Sequence, residues 1–258
     1  MAKGYYAPSV IKAFEVLKLI ASNKEGMGIS EIARELGMAK STVHGMTSAL
    51  EELGAVRRDP GTKRYSLGFT LFELGKTAYS QIELKDLARP FLEELMERTQ
   101  TSVFLGVLNW DHVTILDVVE PGTELKITSP IGTIISLLAG AAGKVFLSMM
   151  EEEQALRLIR SKGLAKYTEK SITDVDRYVE EMRKVKVQGF ATDDEEYILG
   201  VRAVAAPIVG WSHAMSAIWA VGFKASLDED RMKGLTAFTK EAAEAIRRKV
   251  ERQPLGSG

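Results

Sequence analysis

Between Ser9 and Ala21 apolar side chains recur every third or fourth residue, at Val10, Ala13, Phe14, Leu17 and Ile20. This spacing predicts an amphipathic helix, with Pro8 and Ser9 as its start signals. Ser30 as N-cap, with Ile32, Ala33 and Leu36 on one face and Gly37 as the stop, predicts a short second helix. A third runs from Lys40 to Leu53: Val43, Met46, Leu50 and Leu53 form its apolar stripe, and Ser41, His44, Gly45 and Ser48 lie roughly opposite. Two short strand-like runs, Ala55–Arg58 and Lys63–Leu67, then flank the turn-forming Asp59-Pro60-Gly61-Thr62. Three helices and a basic-tipped hairpin in this order match a winged helix-turn-helix, whose third helix enters the major groove and whose wing meets phosphates.

The pattern changes after Gly68. Residues 69–83 read as a connecting helix, and Leu84–Arg98 as a longer amphipathic one in which Pro90 is tolerated early or breaks it. Val103–Leu108, Val113–Val119 and Leu125–Thr128 read as a strand meander, separated by Asn109-Trp110-Asp111 and Pro121-Gly122. Helical periods return at Ala141–Met149, Glu151–Ile159 and Asp174–Val187. Strand patterns follow at Phe190–Thr192, Val201–Val209 and Ala214–Phe223, before a closing helix over Leu227–Arg252. The chain therefore reads as α+β. Residues 1–68 read as a winged helix-turn-helix domain, 69–83 as a linker helix, 84–252 as a second, α+β domain and 253–258 as a flexible tail.

The 258 residues favour two domains, and 45% hydrophobic with 27% charged content is ordinary for a globular chain. No cysteine is present, which removes disulfides, thiol nucleophiles and the common structural zinc sites. His44, His112 and His213 are far apart and form no ligand motif, so no metal and no cofactor are expected. No apolar run approaches the roughly 18–20 residues that cross a membrane, and the first residues lack a signal-like apolar stretch; the expected compartment is the cytoplasm. The net charge of −1 hides an asymmetry, since residues 1–68 carry ten Lys/Arg against seven Asp/Glu.

Three runs in the first domain carry a family resemblance: Ser9-Val10-Ile11-Lys12-Ala13-Phe14-Glu15-Val16-Leu17, Ile29-Ser30-Glu31-Ile32-Ala33 and Lys40-Ser41-Thr42-Val43-His44. In the second the carriers are Gly140-Ala141-Ala142-Gly143-Lys144, Gly189-Phe190-Ala191-Thr192-Asp193-Asp194-Glu195-Glu196, and the run from Gly200 to Ile208. On these the chain resembles the IclR family of transcription regulators over nearly its whole length. The resemblance implies an N-terminal winged helix, a C-terminal GAF-like effector-binding domain, a double-stranded DNA operator, a small-molecule effector, and a homodimer or dimer of dimers, with no catalysis.

DNA-facing candidates are Ser30, Lys40, Ser41, Thr42, His44, Gly45 and Ser48, with Arg57, Arg58, Lys63 and Arg64 as phosphate contacts from the wing. Gly140-Ala141-Ala142-Gly143-Lys144 fails as a phosphate loop, because Leu138 stands where the first glycine belongs and Val145 where the magnesium-binding hydroxyl belongs. It survives as a small-residue helix entry whose free amides can hold a carboxylate. By the match to the family, the effector-facing candidates are Leu138, Ala139, Gly140, Ala141, Ala142, Asp193, Val201, Ala203, Trp219 and Val221.

Two departures from the family's pattern bear on specificity. Gly45 stands where a large basic residue is usual. Ser136-Leu137-Leu138 replaces a Pro-Leu-His-like step, and Trp219 and Val221 replace effector-facing serines. The pocket is therefore expected to take a small carboxylate with an aromatic or apolar body, with Trp219 either stacking on it or filling the space. An enzyme using Asp193, Glu195 or Lys144 as acid–base groups, or a regulator that has lost its ligand response, are the alternatives.

Overall fold

A computed structural model describes residues 7–80, 82–210 and 214–252. His213 and the tail at 253–258 lie outside the described residues. The chain divides into two compact units that meet between Ile82 and Glu83.

The first unit contains α1 (Pro8–Ala21), α2 (Ile29–Glu35), α3 (Lys40–Glu52), β1 (Val56–Arg58), β2 (Tyr65–Leu67) and α4 (Phe69–Ser80). Val16, Ile20, Ile32, Val43, Val56 and Tyr65 form its core. The hairpin pairs antiparallel with Arg57 opposite Ser66. Its tip is an Asx turn: the Asp59 carboxylate accepts from the Gly61 and Thr62 amides and the Thr62 hydroxyl.

Three sequence expectations fail here. Ser30 is not the cap of α2: the helix begins at Ile29, and Glu31 reaches back to accept from the Gly28 amide at 2.8 Å. Leu53 lies past the end of α3 and is 68% exposed, while Thr47 is buried in the stripe instead, its hydroxyl donating to the His44 carbonyl. Val10 and Phe14 are exposed on α1, because the face that packs is the one carrying Val16, Leu17 and Ile20.

The second unit contains α5 (Glu83–Thr99), β3 (Ser102–Asn109), β4 (His112–Val119), β5 (Ile134–Ser136), α6 (Gly140–Ser148), α7 (Glu152–Lys162), α8 (Val175–Gln188), β6 (Ala191–Asp194), β7 (Val201–Ile208), β8 (Ser216–Phe223) and α9 (Glu229–Glu251). A six-stranded antiparallel sheet runs in the order β5-β4-β3-β8-β7-β6. Side chains alternate across it. Phe104, Ala203, Ala205, Trp219 and Val221 face a core built with α6 and α8. The intervening residues, Leu105, Val204, Ala206 and Ile218 among them, are buried on the other side, against α5 and α9. The fold is α+β, and α5 passes through Pro90 without breaking.

The Leu125–Thr128 strand does not form. Glu120 instead holds the segment by pairing with Lys126 and accepting from the Thr128 hydroxyl. The strand that does extend the sheet is β5, pairing Val113 with Ile135 at the edge of β4.

Candidate functional site

Lys40, Ser41, Thr42, His44, Gly45 and Ser48 are all exposed along α3, and Val43 and Thr47 anchor the opposite face. Ser30, the second residue of α2, is exposed as well. Arg57, Arg58 and Lys63 are exposed on the wing, with the Arg57 Nε donating to Ser66 and Arg58 lying 5.8 Å from the Tyr65 ring.

Arg64 has a different task. Its guanidinium donates to the Gly26 carbonyl at 2.9 Å and pairs with Glu31 at 2.9 Å, tying the wing to the turn before α2. Glu31 is itself held below the usual carboxylate range, first by the Gly28 amide and then by Arg64. An arginine with these bonds is a brace rather than a phosphate contact, because leaving them costs it two partners.

In the second unit a cavity of about 240 Å³ opens between the sheet, the start of α6 and the segments 127–129 and 133–135. Ala139, Gly140, Ala141, Ala142, Asp193, Val201, Ala203, Trp219 and Val221 all line it. Leu138 does not: its side chain is buried in the hydrophobic core beneath. The walls also include Phe104, Ile115, Ile127, Thr128, Ser129, Thr133, Tyr197 and Ile198, which the sequence reading missed. Alternation along β3 and β4 was the available signal for Phe104 and Ile115; the loop residues carried none.

The Trp219 indole stacks on Phe104, ring centres 5.6 Å apart and planes within 12°. It lies over Gly106, where an added Cβ would meet the ring at 2.7 Å. The indole is thus a flat wall seated by a glycine, and open volume remains beside it.

One end of the cavity is polar. The amides of Gly140, Ala141 and Ala142 open α6 and have no carbonyl one turn back to receive them. Gly140 has φ +58°, and a Cβ there would sit 2.6 Å from the Asp193 Oδ2. Asp193 accepts from the Glu196 amide at 2.6 Å through Oδ1. Burial pushes its carboxyl up to about 6, with the Glu196 carboxylate adding to the rise and Lys144 and the amide bonds opposing it.

Behind this end, Lys144 is 2% exposed, and its ammonium donates to the Thr192 carbonyl at 2.9 Å and to Glu196 at 2.6 Å. Glu195, at φ +66°, bonds Lys170, Lys224 and the Gly200 amide; the lysines pull its carboxyl down to about 2. Lys144 and Glu195 are therefore committed to holding the acidic turn and are not acid–base groups facing the cavity. Among the described residues no helix is long and apolar enough to cross a membrane.

Comparison with known proteins agrees in both units. The description "IclR helix-turn-helix domain" matches residues 9–60, and "Bacterial transcriptional regulator IclR C-terminal" matches residues 76–248. The HTH-type transcriptional regulator BhcR of Paracoccus denitrificans is 32% identical over 236 residues, covering 91% of this chain and 84% of its own. The crystal structure of an IclR-type regulator from Alicyclobacillus acidocaldarius is 28% identical with a TM-score of 0.78, covering 95% of this chain and all of that one. An IclR homologue from Microbacterium hydrocarbonoxydans, crystallised with 4-hydroxybenzoate, shares the fold at 19% identity with a TM-score of 0.71, over 95% of this chain and 98% of that one. The chain belongs to the IclR family and is a ligand-responsive, DNA-binding transcriptional regulator rather than an enzyme.

Proposed function

We propose that this regulator responds to a small aromatic carboxylate. The observation that carries the reading is the Trp219–Phe104 wall, standing in one cavity with the free amides that open α6. An aromatic ring stacks on the indole, and its carboxylate meets the Gly140–Ala142 amides at the positive end of the helix. Asp193, raised toward neutrality, joins as a protonated donor to the same carboxylate, which otherwise would face a like charge. The crystallisation of an IclR homologue of related fold with 4-hydroxybenzoate supports the reading.

On the DNA side, Lys40, Ser41, Thr42, His44 and Ser48 read the major groove from α3. Arg57, Arg58 and Lys63 meet phosphates from the wing, and Ser30 approaches the backbone from the start of α2. Two copies are needed for a pseudo-palindromic operator. The exposed apolar residues Val10, Ile11 and Phe14 on α1, with Phe69, Phe72 and Leu74 on α4, supply a surface for self-association as a homodimer. The effector acts by binding the operator-bound and released states unequally.

The test is fluorescence anisotropy of the full chain on its own upstream intergenic DNA against a scrambled duplex, at one salt concentration, with benzoate and pyruvate added in turn. Specific binding that benzoate alters at lower concentration than pyruvate supports the reading. A response to pyruvate alone sinks the aromatic assignment.

A further inference from the structure

A second cavity, of about 220 Å³, lies at the end of the sheet where β3 begins and β8 ends. It is separated from the apolar cavity by Ile127 and Val221, which line both. Its chemistry is the reverse. Thr101, Ser102, Thr123 and Ser226 bring hydroxyls and Gln100 an amide, and the charged residues in its lining are Lys126 and Arg231, with no carboxylate among them.

Two features mark it as built for an occupant. Ser102 is 2% exposed, and its hydroxyl is buried with no hydrogen-bond partner in the protein. A buried hydroxyl left unsatisfied costs on the order of 1–3 kcal/mol, and a serine facing Val221 in the ladder is easily replaced by a small apolar residue that would not incur it. Arg231 spends one nitrogen on the Ser226 carbonyl, at 2.9 Å, and the residue is exposed where it lines the cavity. Lys126 is partly neutralised by Glu120, so the local charge is positive and comes mainly from Arg231.

We infer that this polar cavity is a second ligand site, distinct from the aromatic one, for a small polyhydroxylated acid. Its hydroxyls would satisfy Ser102 and the neighbouring threonines, and its carboxylate would lie against the Arg231 fork. A neutral polyol brings no anion to the Arg231 fork, and a bare anion leaves the buried hydroxyl unsatisfied. The regulator thereby takes two metabolite inputs of opposite character through one shared wall.

Calorimetric titration of the full-length protein with D-gluconate tests this, with sorbitol and inorganic phosphate as controls and a repeat in saturating benzoate. Gluconate binds with a Kd in the millimolar range or tighter, at least about tenfold better than sorbitol or phosphate, as a charge-assisted bond requires. It still binds when benzoate is present. Arg231→Gln, whose backbone amide keeps the Asp228 cap, weakens gluconate about tenfold, and Ser102→Ala weakens it severalfold. Phosphate or sorbitol binding as tightly as gluconate overturns the ligand class. No gluconate heat, or displacement of gluconate by benzoate, overturns the second site. Gluconate binding without benzoate binding instead removes the aromatic reading and leaves this one standing; the sorbitol ratio holds even where a variant fails to fold.

Discussion

The proposed DNA-facing surface and the proposed effector pocket place their chemistry in opposite ways. On α3, five candidate side chains project to solvent from one helix beside the exposed Gly45, and a separate stripe of Val43 and Thr47 does the packing. In the pocket, the walls come from β3, β4, β5, α6, β6, β7, β8 and the segments between them, and many of the side chains that line the cavity also hold the core. Function and stability are therefore separable in the first unit and coupled in the second. A substitution on α3 changes binding without changing the fold, while one around the pocket changes both.

The largest break in that comparison is at Lys144. Lys144→Met leaves Glu196 without its buried partner, and breaking such a pair costs about 3–5 kcal/mol. Thermal unfolding of the second unit should fall accordingly, with effector response lost. An unchanged midpoint would mean that the ion pair contributes nothing and that the acidic turn is held by Lys170 and Lys224 alone.

On α3 the reverse holds. Ser41→Ala or His44→Ala should weaken specific operator binding by about 1–3 kcal/mol per lost base contact, with the melting temperature unmoved. A joint loss of affinity and stability would show that α3 is not the free surface its exposure indicates. Arg64→Ala marks the boundary between the two behaviours: as the brace between Glu31 and the Gly26 carbonyl it should lower stability, whereas Arg58→Ala should lower only salt-dependent DNA affinity.

That division also explains what the sequence disclosed. A single helix with a 3.6-residue period announces both of its faces, so the α3 candidates could be named directly from Val43 and its neighbours. Pocket residues have no common period. Gly140–Ala142 and Asp193 are marked by family motifs and a helix start, while the pattern over Leu125–Thr128 predicts a strand that the contacts of Lys126 and Thr128 with Glu120 replace. Tyr197 and Ile198 sit in a turn fixed by distant lysines, which no local pattern encodes. The fate of Arg64 was equally hidden, since Glu31 lies far away along the chain.

Proton linkage sharpens the pocket side. Burial pushes the Asp193 carboxyl up to about 6 from 3.8, so its ionisation costs the fold stability in full above about pH 6, and that cost is relieved progressively as the pH falls from about 6 to 3.8. A carboxylate ligand binds the protonated form. Benzoate affinity should therefore be flat below pH 6 and fall up to about tenfold per pH unit above it. Asp193→Asn, which keeps an acceptor for the Glu196 amide, should flatten the profile. A wild-type profile already flat across this range would place the ligand's carboxylate away from Asp193.

One substitution made in both units gives the smallest and cleanest contrast. Gly45 and Gly143 both lie inside helices, where glycine is about 0.5–1 kcal/mol less favourable than alanine. At Gly45 an added Cβ meets nothing within 4 Å, so Gly45→Ala should recover most of that difference and raise the melting temperature of the first unit slightly. At Gly143 the same atom would fall 2.5 Å from the Leu137 carbonyl oxygen, a backbone group that cannot step aside. Gly143→Ala should therefore destabilise by about 1–3 kcal/mol despite the better helix propensity, as overpacking does. The sign of the change, read by calorimetric melting of the two variants side by side, tests whether glycine on α3 is merely tolerated by an open surface while glycine on α6 is demanded by the close approach that shapes the pocket.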